Sequence, residues 1–207
     1  PQDYETIQEL LTNLENYINE PNDIDPLVNM AIIHHQFESI HPFYDGNGRT
    51  GRIINILYLI LKDLLDIPVL YLSRYIITHK ADYYRLLQEV RTQDKWEEWI
   101  LYMLDAVEQT SLETIELINN ISDLMIKTQD KISQDLPKIY SKDLVEILFM
   151  HPYTKIDFLV VKMGLHRHTA STYLNELENI GILKPIKIGR SKYFINLELF
   201  DMLKKGI

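Results

Sequence analysis

His41-Pro42-Phe43-Tyr44-Asp45-Gly46-Asn47-Gly48-Arg49-Thr50-Gly51-Arg52 places a base, an acid, three glycines and two arginines within twelve positions. The glycines permit backbone geometries closed to other residues, so the amides of Gly46, Asn47 and Gly48 can turn toward one anion. The residues that follow are apolar and helical in pattern. A helix opening near Arg49 presents unpaired N–H groups and the positive end of its dipole to the same anion, and Arg49 and Arg52 add forked donors. The stretch therefore reads as a phosphate site, with His41 as candidate base and Asp45 as candidate metal ligand.

Upstream, Ile7, Leu10, Leu11, Leu14, Tyr17 and Ile18 recur at helical spacing, and Pro21 ends that helix. Asp25-Pro26 starts a second, whose stripe is Leu27, Met30, Ile33, Phe37 and Ile40 and which delivers His41. Pro42 disfavours helical geometry at His41, so the motif begins where the helix stops. Downstream, the run from Ile53 to Leu65 is apolar on nearly every face and reads as the central buried helix of an all-α domain. Asn55 is its one amide and, once buried, needs a hydrogen-bond partner. Ser73 or Thr78 can cap the next helix, whose face carries Tyr83, Tyr84, Leu87 and Val90. A long helix then runs from about Asp94 to Lys131, reaching past the first core toward a second domain or a homodimer partner. His34 and His35 point to different helix faces and read as packing residues, not metal ligands.

The pattern lapses around Pro137, and the expected organisation is residues 1–132, a linker at 133–140 and a second domain at 141–207. In that domain three helix faces are followed by Ile182-Leu183, Ile186 to Ile188, a Gly189-Arg190-Ser191-Lys192 turn and Tyr193 to Ile195. This resembles a small winged helix-turn-helix domain of three helices plus a β-hairpin. The charge is uneven: residues 1–140 hold 11 Lys and Arg against 23 Asp and Glu, a net −12, while residues 141–207 hold 10 against 7, a net +3. Nucleic acid could approach only the second part, with Arg167, His168, Thr169, Thr172, Arg190 and Lys192 as the candidate contacts. A protein-binding or dimerising role for the same module stays open.

The 207 residues are 46% hydrophobic and contain no cysteine, which removes disulfides and thiolate chemistry and fits a cytoplasmic location. No apolar run approaches the ~20 residues of a membrane span.

His41-Pro42-Phe43-x-Asp45-Gly46-Asn47-Gly48-Arg49-x-x-Arg52 resembles the complete signature of the Fic family. His35-Gln36-Phe37-Glu38, Tyr71-Leu72-Ser73, Tyr83-Tyr84 and Trp96 extend the likeness over about two thirds of the chain. The resemblance implies a mainly α fold: an all-helical Fic-type bundle followed by the winged-helix domain. It implies transfer of AMP from ATP, with Mg²⁺, to a Ser, Thr or Tyr hydroxyl of a target protein. On that reading His41 is the base, Asp45 the metal ligand and Phe43 an anchor of the loop in the core. Gly46, Asn47, Gly48, Arg49, Thr50, Gly51 and Arg52 hold phosphates, and Tyr83 and Tyr84 shape the nucleoside pocket. The family's inhibitory Ser/Thr-x-x-x-Glu-Gly/Asn pattern and its target-docking flap are not recognisable, which suggests N-terminal truncation. The competing expectations are a nucleotide-sensing, DNA-binding transcriptional regulator and removal of AMP at the same site.

Overall fold

The structure is a computed structural model and describes residues 3–189 and 191–206. Two compact units, Pro1–Thr114 and Ile115–Ile207, divide the chain. The first contains α1 (Tyr4–Asn19), α2 (Pro26–Ile40), α3 (Asn47–Leu61), α4 (Leu72–Thr78), α5 (Lys80–Gln93) and the start of α6 (Trp96–Asp135). Among the described residues, no helix is long and apolar enough to cross a membrane.

Local chemistry sets the helix starts. The Asp3 side chain caps α1 by accepting from the Thr6 N–H at 3.0 Å. Asp25 caps α2 by accepting from the Leu27 N–H at 2.8 Å, with Pro26 pre-set for the first turn. The apolar stripe of α1 packs on the core, and α2 buries Met30, Ala31, Ile33, Phe37 and Ile40.

The central helix is α2, not α3. Asn29, His34, His35 and Glu38 are buried along with the apolar stripe of α2, so three sides of that helix are covered. By contrast α3 buries Gly51, Asn55, Tyr58 and Leu59 against α2, while Ile53, Leu57 and Leu61 are each more than half exposed. The apolar run was expected to be enclosed on every side. Its outer face instead has no covering element among the described residues of this unit.

An aromatic and amide network ties the bundle together. Trp99 of α6 is fully buried and donates its indole N–H to the Ala31 carbonyl at 2.9 Å. His34 stacks on Trp99, its Nε2 lies 2.9 Å from the Tyr83 hydroxyl, and its Nδ1 lies 3.1 Å from Asn55 Nδ2. Asn55 thus finds its partner in a histidine. His35 sits edge-on to Trp96 and Trp99. Both histidines are packing residues, as their spacing implied.

The second unit holds the end of α6, then α7 (Lys142–Phe149), β1 (Tyr153–Thr154), α8 (Ile156–Met163), α9 (Arg167–Asn179), β2 (Lys184–Ile188), β3 (Ser191–Ile195) and α10 (Leu197–Gly206). Its sheet is antiparallel in the order β1-β3-β2, with Thr154 opposite Phe194 and Ile188 opposite Ser191. Ile132, Leu144, Leu148, Leu159, Ala170, Leu174, Leu177 and Phe194 form its core. Helix α6 continues to Asp135, and Leu136, Ile139 and Tyr140 pack into the same core. Three details differ from the sequence reading. Ile182-Leu183 precedes the strand, which starts at Lys184. A two-residue strand, β1, joins the hairpin, and a terminal helix, α10, follows it, with Asn196 accepting from the Leu199 N–H.

Burial lowers the proton affinity of His34 to a pKa of about 4. The unfolded chain therefore binds more protons than the native one between about pH 6.5 and pH 4, and this group withdraws stability as pH falls through that window. Its contribution to the loss at pH 5 relative to neutral pH is on the order of 2 kcal/mol. An NMR titration should find the His34 imidazole still neutral at pH 5.5; a midpoint above pH 6 would contradict the assignment.

Candidate active site

At the end of α2 the backbone of His41 turns left-handed, with φ 51° and ψ 57°, and its N–H bonds the Phe37 carbonyl at 3.1 Å. Pro42 cannot extend the helix. A short loop follows, and Gly46, at φ +91°, caps α3 in a conformation that favours glycine. Thr50 donates its N–H to the Gly46 carbonyl at 2.9 Å. The N–H groups of Asn47, Gly48 and Arg49, in the first turn of α3, have no protein acceptor among the described residues. They point the positive end of the helix into the space beside His41.

Asn47 holds this loop in shape. Its buried side chain accepts from the Phe43 N–H at 2.9 Å and donates to the Phe43 carbonyl at 2.6 Å, closing a ring across the turn. Phe43 was expected to anchor the loop through its ring in the core. The ring is 46% exposed, 6.4 Å from Phe37, and the anchoring falls to the backbone of Phe43 in the grip of Asn47.

The two arginines differ. Arg49 forms an ion pair with Asp45 at 3.0 Å, both side chains largely exposed, and such a pair contributes little and exchanges readily. Arg52 is half-buried and donates its Nε–H to the Ser73 hydroxyl at 2.7 Å, which fixes the plane of the guanidinium. Ser73 lies in the first turn of α4 and does not cap it. Thr50 donates its hydroxyl back to the Gly46 carbonyl, and Gly51 is buried under the turn. A Cβ on Gly51 would stand 2.8 Å from Glu38 Oε1 and 3.1 Å from His34 Cε1. In this arrangement the Thr50 hydroxyl and the bare Cα of Gly51 serve the fold of the turn.

His41, Asp45, Gly46, Asn47, Gly48 and Arg52 border one pocket of about 390 Å³, together with Tyr44, Tyr83 and Tyr84. Tyr83 is buried, and its hydroxyl is engaged by His34; Tyr84 is 57% exposed and lies edge-on to Tyr83. Four further residues line the same space: Glu38, Ile76, Ile77 and Lys80. Glu38 is the notable one. It lies one turn before His41 on α2, is 8% exposed, and has one buried oxygen without a hydrogen-bond partner among the described residues. Burial pushes its carboxyl up, against the opposing pull of His41, Arg52 and Arg91. Its i, i+3 relation to His41 was the available sequence signal. Ser73 belongs to the quoted Tyr71-Leu72-Ser73 stretch, while for Lys80 there was no signal, because tertiary packing alone brings it to the motif. An adjoining pocket of about 570 Å³ shares Arg52 with it, is also lined by Arg49 and Ser73, and is otherwise lined largely by apolar groups of α3 and residues 68–77.

In the second unit, the candidate nucleic-acid contacts are partly occupied. Arg167 pairs with Asp157, and Lys192 reaches Glu178 at 3.6 Å and Asn175 at 3.2 Å. Thr172 bonds the His168 carbonyl, His168 is exposed and Thr169 is half-buried. Arg190 lies outside the described residues. No cluster of three or more potential metal ligands occurs among the described residues, which leaves His151, His166 and His168 without the arrangement of a zinc site.

Two stretches of the chain match known families. Residues 1–59 match the Fic/DOC family, and residues 124–199 match the C-terminal domain of protein adenylyltransferase SoFic-like proteins. A probable protein adenylyltransferase, aq_aa38, from Aquifex aeolicus (strain VF5) is 26% identical over 190 residues, spanning 87% of this chain and 51% of the relative. Protein adenylyltransferase fic-1 of Caenorhabditis elegans is 38% identical over 52 residues, 24% of this chain and 10% of that protein. A solved Fic family protein from Desulfovibrio desulfuricans G20 is 24% identical, with a TM-score of 0.49 over 92% of this chain and 55% of that one. The chain thus spans about half the length of the Aquifex relative.

The Asn47 ring predicts a separable effect. Asn47→Ala leaves the Phe43 N–H and carbonyl without partners, at about 1–3 kcal/mol of stability in chemical denaturation. Nucleotide affinity measured by calorimetry should fall as well, because the amides of the turn lose their fixed direction.

Proposed function

The chain carries a Fic/DOC family domain joined to a SoFic-like C-terminal domain, and from that premise we propose that it is a protein adenylyltransferase. It would transfer AMP from ATP to a Ser, Thr or Tyr hydroxyl of a target protein and release pyrophosphate. One observation carries the reading: a histidine, the Gly46-Asn47-Gly48 turn that opens α3 and a fixed arginine all line one pocket.

In this mechanism His41 takes the proton of the attacking hydroxyl, a role within the ordinary reach of a histidine near neutral pH. The N–H groups of Asn47, Gly48 and Arg49 receive the charge that builds on the α-phosphate oxygens, at no cost of reorganisation because Asn47 already fixes the turn. Arg52, oriented by Ser73, holds the outer phosphates, and Arg49 joins it once a phosphate displaces Asp45 from their exposed ion pair. The residues fit a magnesium ion: Asp45 offers one carboxylate, held only by its exposed pair with Arg49, at the rim of a phosphate pocket, and Mg²⁺ commonly binds through one or two carboxylates plus substrate phosphates. When bound, the ion would offset the charge of the departing pyrophosphate.

The second unit reads as a winged helix-turn-helix: α8, the turn at Gly164 and α9 form the helical pair, and β2 with β3 forms the wing. Arg167 and Lys192 sit in exposed ion pairs of the kind that a phosphate displaces readily, so both cations stay available to an anionic partner.

Incubation of the chain with candidate target proteins, Mg²⁺ and ATP labelled at the α- or the γ-phosphate tests the proposal. Protein-bound α-label is expected, falling by about 10²–10⁴-fold in His41→Ala. Protein-bound γ-label instead would mean phosphorylation and refute the assignment.

A further inference from the structure

Glu38 lines the pocket beside His41, and the fold makes room for it. The residue is 8% exposed, and its buried Oε1 accepts no hydrogen bond among the described residues. The missing side chain of Gly51 clears the space, since a Cβ there would stand 2.8 Å from that oxygen. A buried carboxyl oxygen without a partner costs stability, and such a group in a native fold calls for a use.

The charges around Glu38 indicate that use. Asp45 is the other carboxylate on the pocket wall, but its side chain is 92% exposed and paired with Arg49. From α5, Arg91 donates to the Glu38 backbone carbonyl at 3.2 Å, and Lys80 lies 5.8 Å from the centre of the Tyr84 ring. From α3, Arg52 reaches the same side of Gly48: a Cβ on that glycine would stand 3.1 Å from Arg52 Nη1 and 3.8 Å from Glu38 Oε1. The neighbouring His34 and Tyr83 are buried and engage one another, α4 contributes the uncharged Ile76 and Ile77, and Tyr44 and Tyr84 add only phenols. His41, one turn beyond Glu38 in sequence, becomes a cation only when it takes a proton. That charge then arises in a pocket already holding Arg52 and Lys80, and Glu38 is the one buried carboxylate on its wall. We infer that Glu38 is a positioning residue for the base: its buried carboxylate offsets the positive charge that His41 gains during AMP transfer, and so eases movement of the acceptor's proton to the imidazole.

The role rests on the adenylyl-transfer reading above. In that step the acceptor oxygen forms a bond to the α-phosphorus of ATP, the bond from that phosphorus to the β-bridging oxygen breaks, and pyrophosphate leaves with the electron pair. The proton goes to the His41 imidazole and none passes to Glu38, which acts through its charge alone. Removal of that charge has two effects of opposite sign. The protonated base becomes less favoured, so the histidine is free to act at lower pH; the weakened base also takes the proton more slowly. Damage to packing would lower the rate without moving its pH dependence.

The test compares wild type with Glu38→Gln, which keeps the shape and removes the charge, and with Glu38→Asp, which keeps the charge. The rate of α-label transfer to the target protein is followed from about pH 5.5 to about pH 8.5 at saturating ATP and Mg²⁺. In Glu38→Gln the plateau rate should fall by about 3–10-fold while the acid limb of the profile moves to lower pH by about one unit. Glu38→Asp should return the limb part of the way. The KM for ATP and the affinity for α,β-methylene-ATP by calorimetry should not worsen in Glu38→Gln, and its midpoint in chemical denaturation should not fall below that of wild type. An acid limb that stays in place, an undiminished plateau, or a loss confined to KM overturns the inference while leaving AMP transfer intact. A lowered denaturation midpoint with weakened nucleotide binding assigns Glu38 to the fold and overturns it equally. Absence of α-label and of pyrophosphate release in the wild type would instead remove the AMP-transfer reading, and this role with it.

Discussion

The closest constraint in the molecule is the approach of α3 to α2 at Gly51. The position has no side chain, and the space a Cβ would occupy is taken by the carboxylate of Glu38 and the imidazole of His34. Because the two helices pack this closely, Asn47 and Gly48 at the start of α3 share one pocket with His41 at the end of α2. The same contact places Asn55 against His34, and His34 passes the constraint on to Tyr83 of α5. Neutral burial of His34 is part of that arrangement: removal from water is the main cause that keeps the ring uncharged.

Much of this was legible in the sequence, for physical reasons that differ by element. Asp25-Pro26 and Pro42 bracket α2 through backbone chemistry that tertiary context seldom overrides, and its apolar stripe fixed the buried face. The glycines, Asn47 and the arginines announced a phosphate turn, since few other uses require those residue types together. Hydrophobicity was a poorer guide for α3. An apolar run records that side chains avoid water but not which side of a helix has a neighbour, and Ile53, Leu57 and Leu61 are exposed in this unit. The strand at Tyr153 is too short to show a period of two, and it exists because β3 offers it an edge.

The site itself shows the same limit. Seven of the twelve residues from His41 to Arg52 line the pocket, and their duties are divided differently from their order in sequence. Asn47, Thr50 and Gly51 shape the turn, Phe43 contributes its backbone, and Ser73 and Glu38 enter from other helices. Packing decides which members of a motif face a ligand and which support those that do. The charges follow this division: the exposed pair Asp45 and Arg49 neutralise one another loosely and can be separated, while Arg52 is held by a neutral hydroxyl that does not compete with an anion.

The backbone of His41 carries a last consequence. A left-handed residue at a helix end is the habitual place of glycine or asparagine, and any other side chain there raises the energy by about 1 kcal/mol. Chemistry and folding therefore pull this position in opposite directions. Mutational drift toward Asn or Gly would be rewarded by a firmer helix end and would leave a chain that folds better while having lost its base, so the histidine persists only where its reaction is selected.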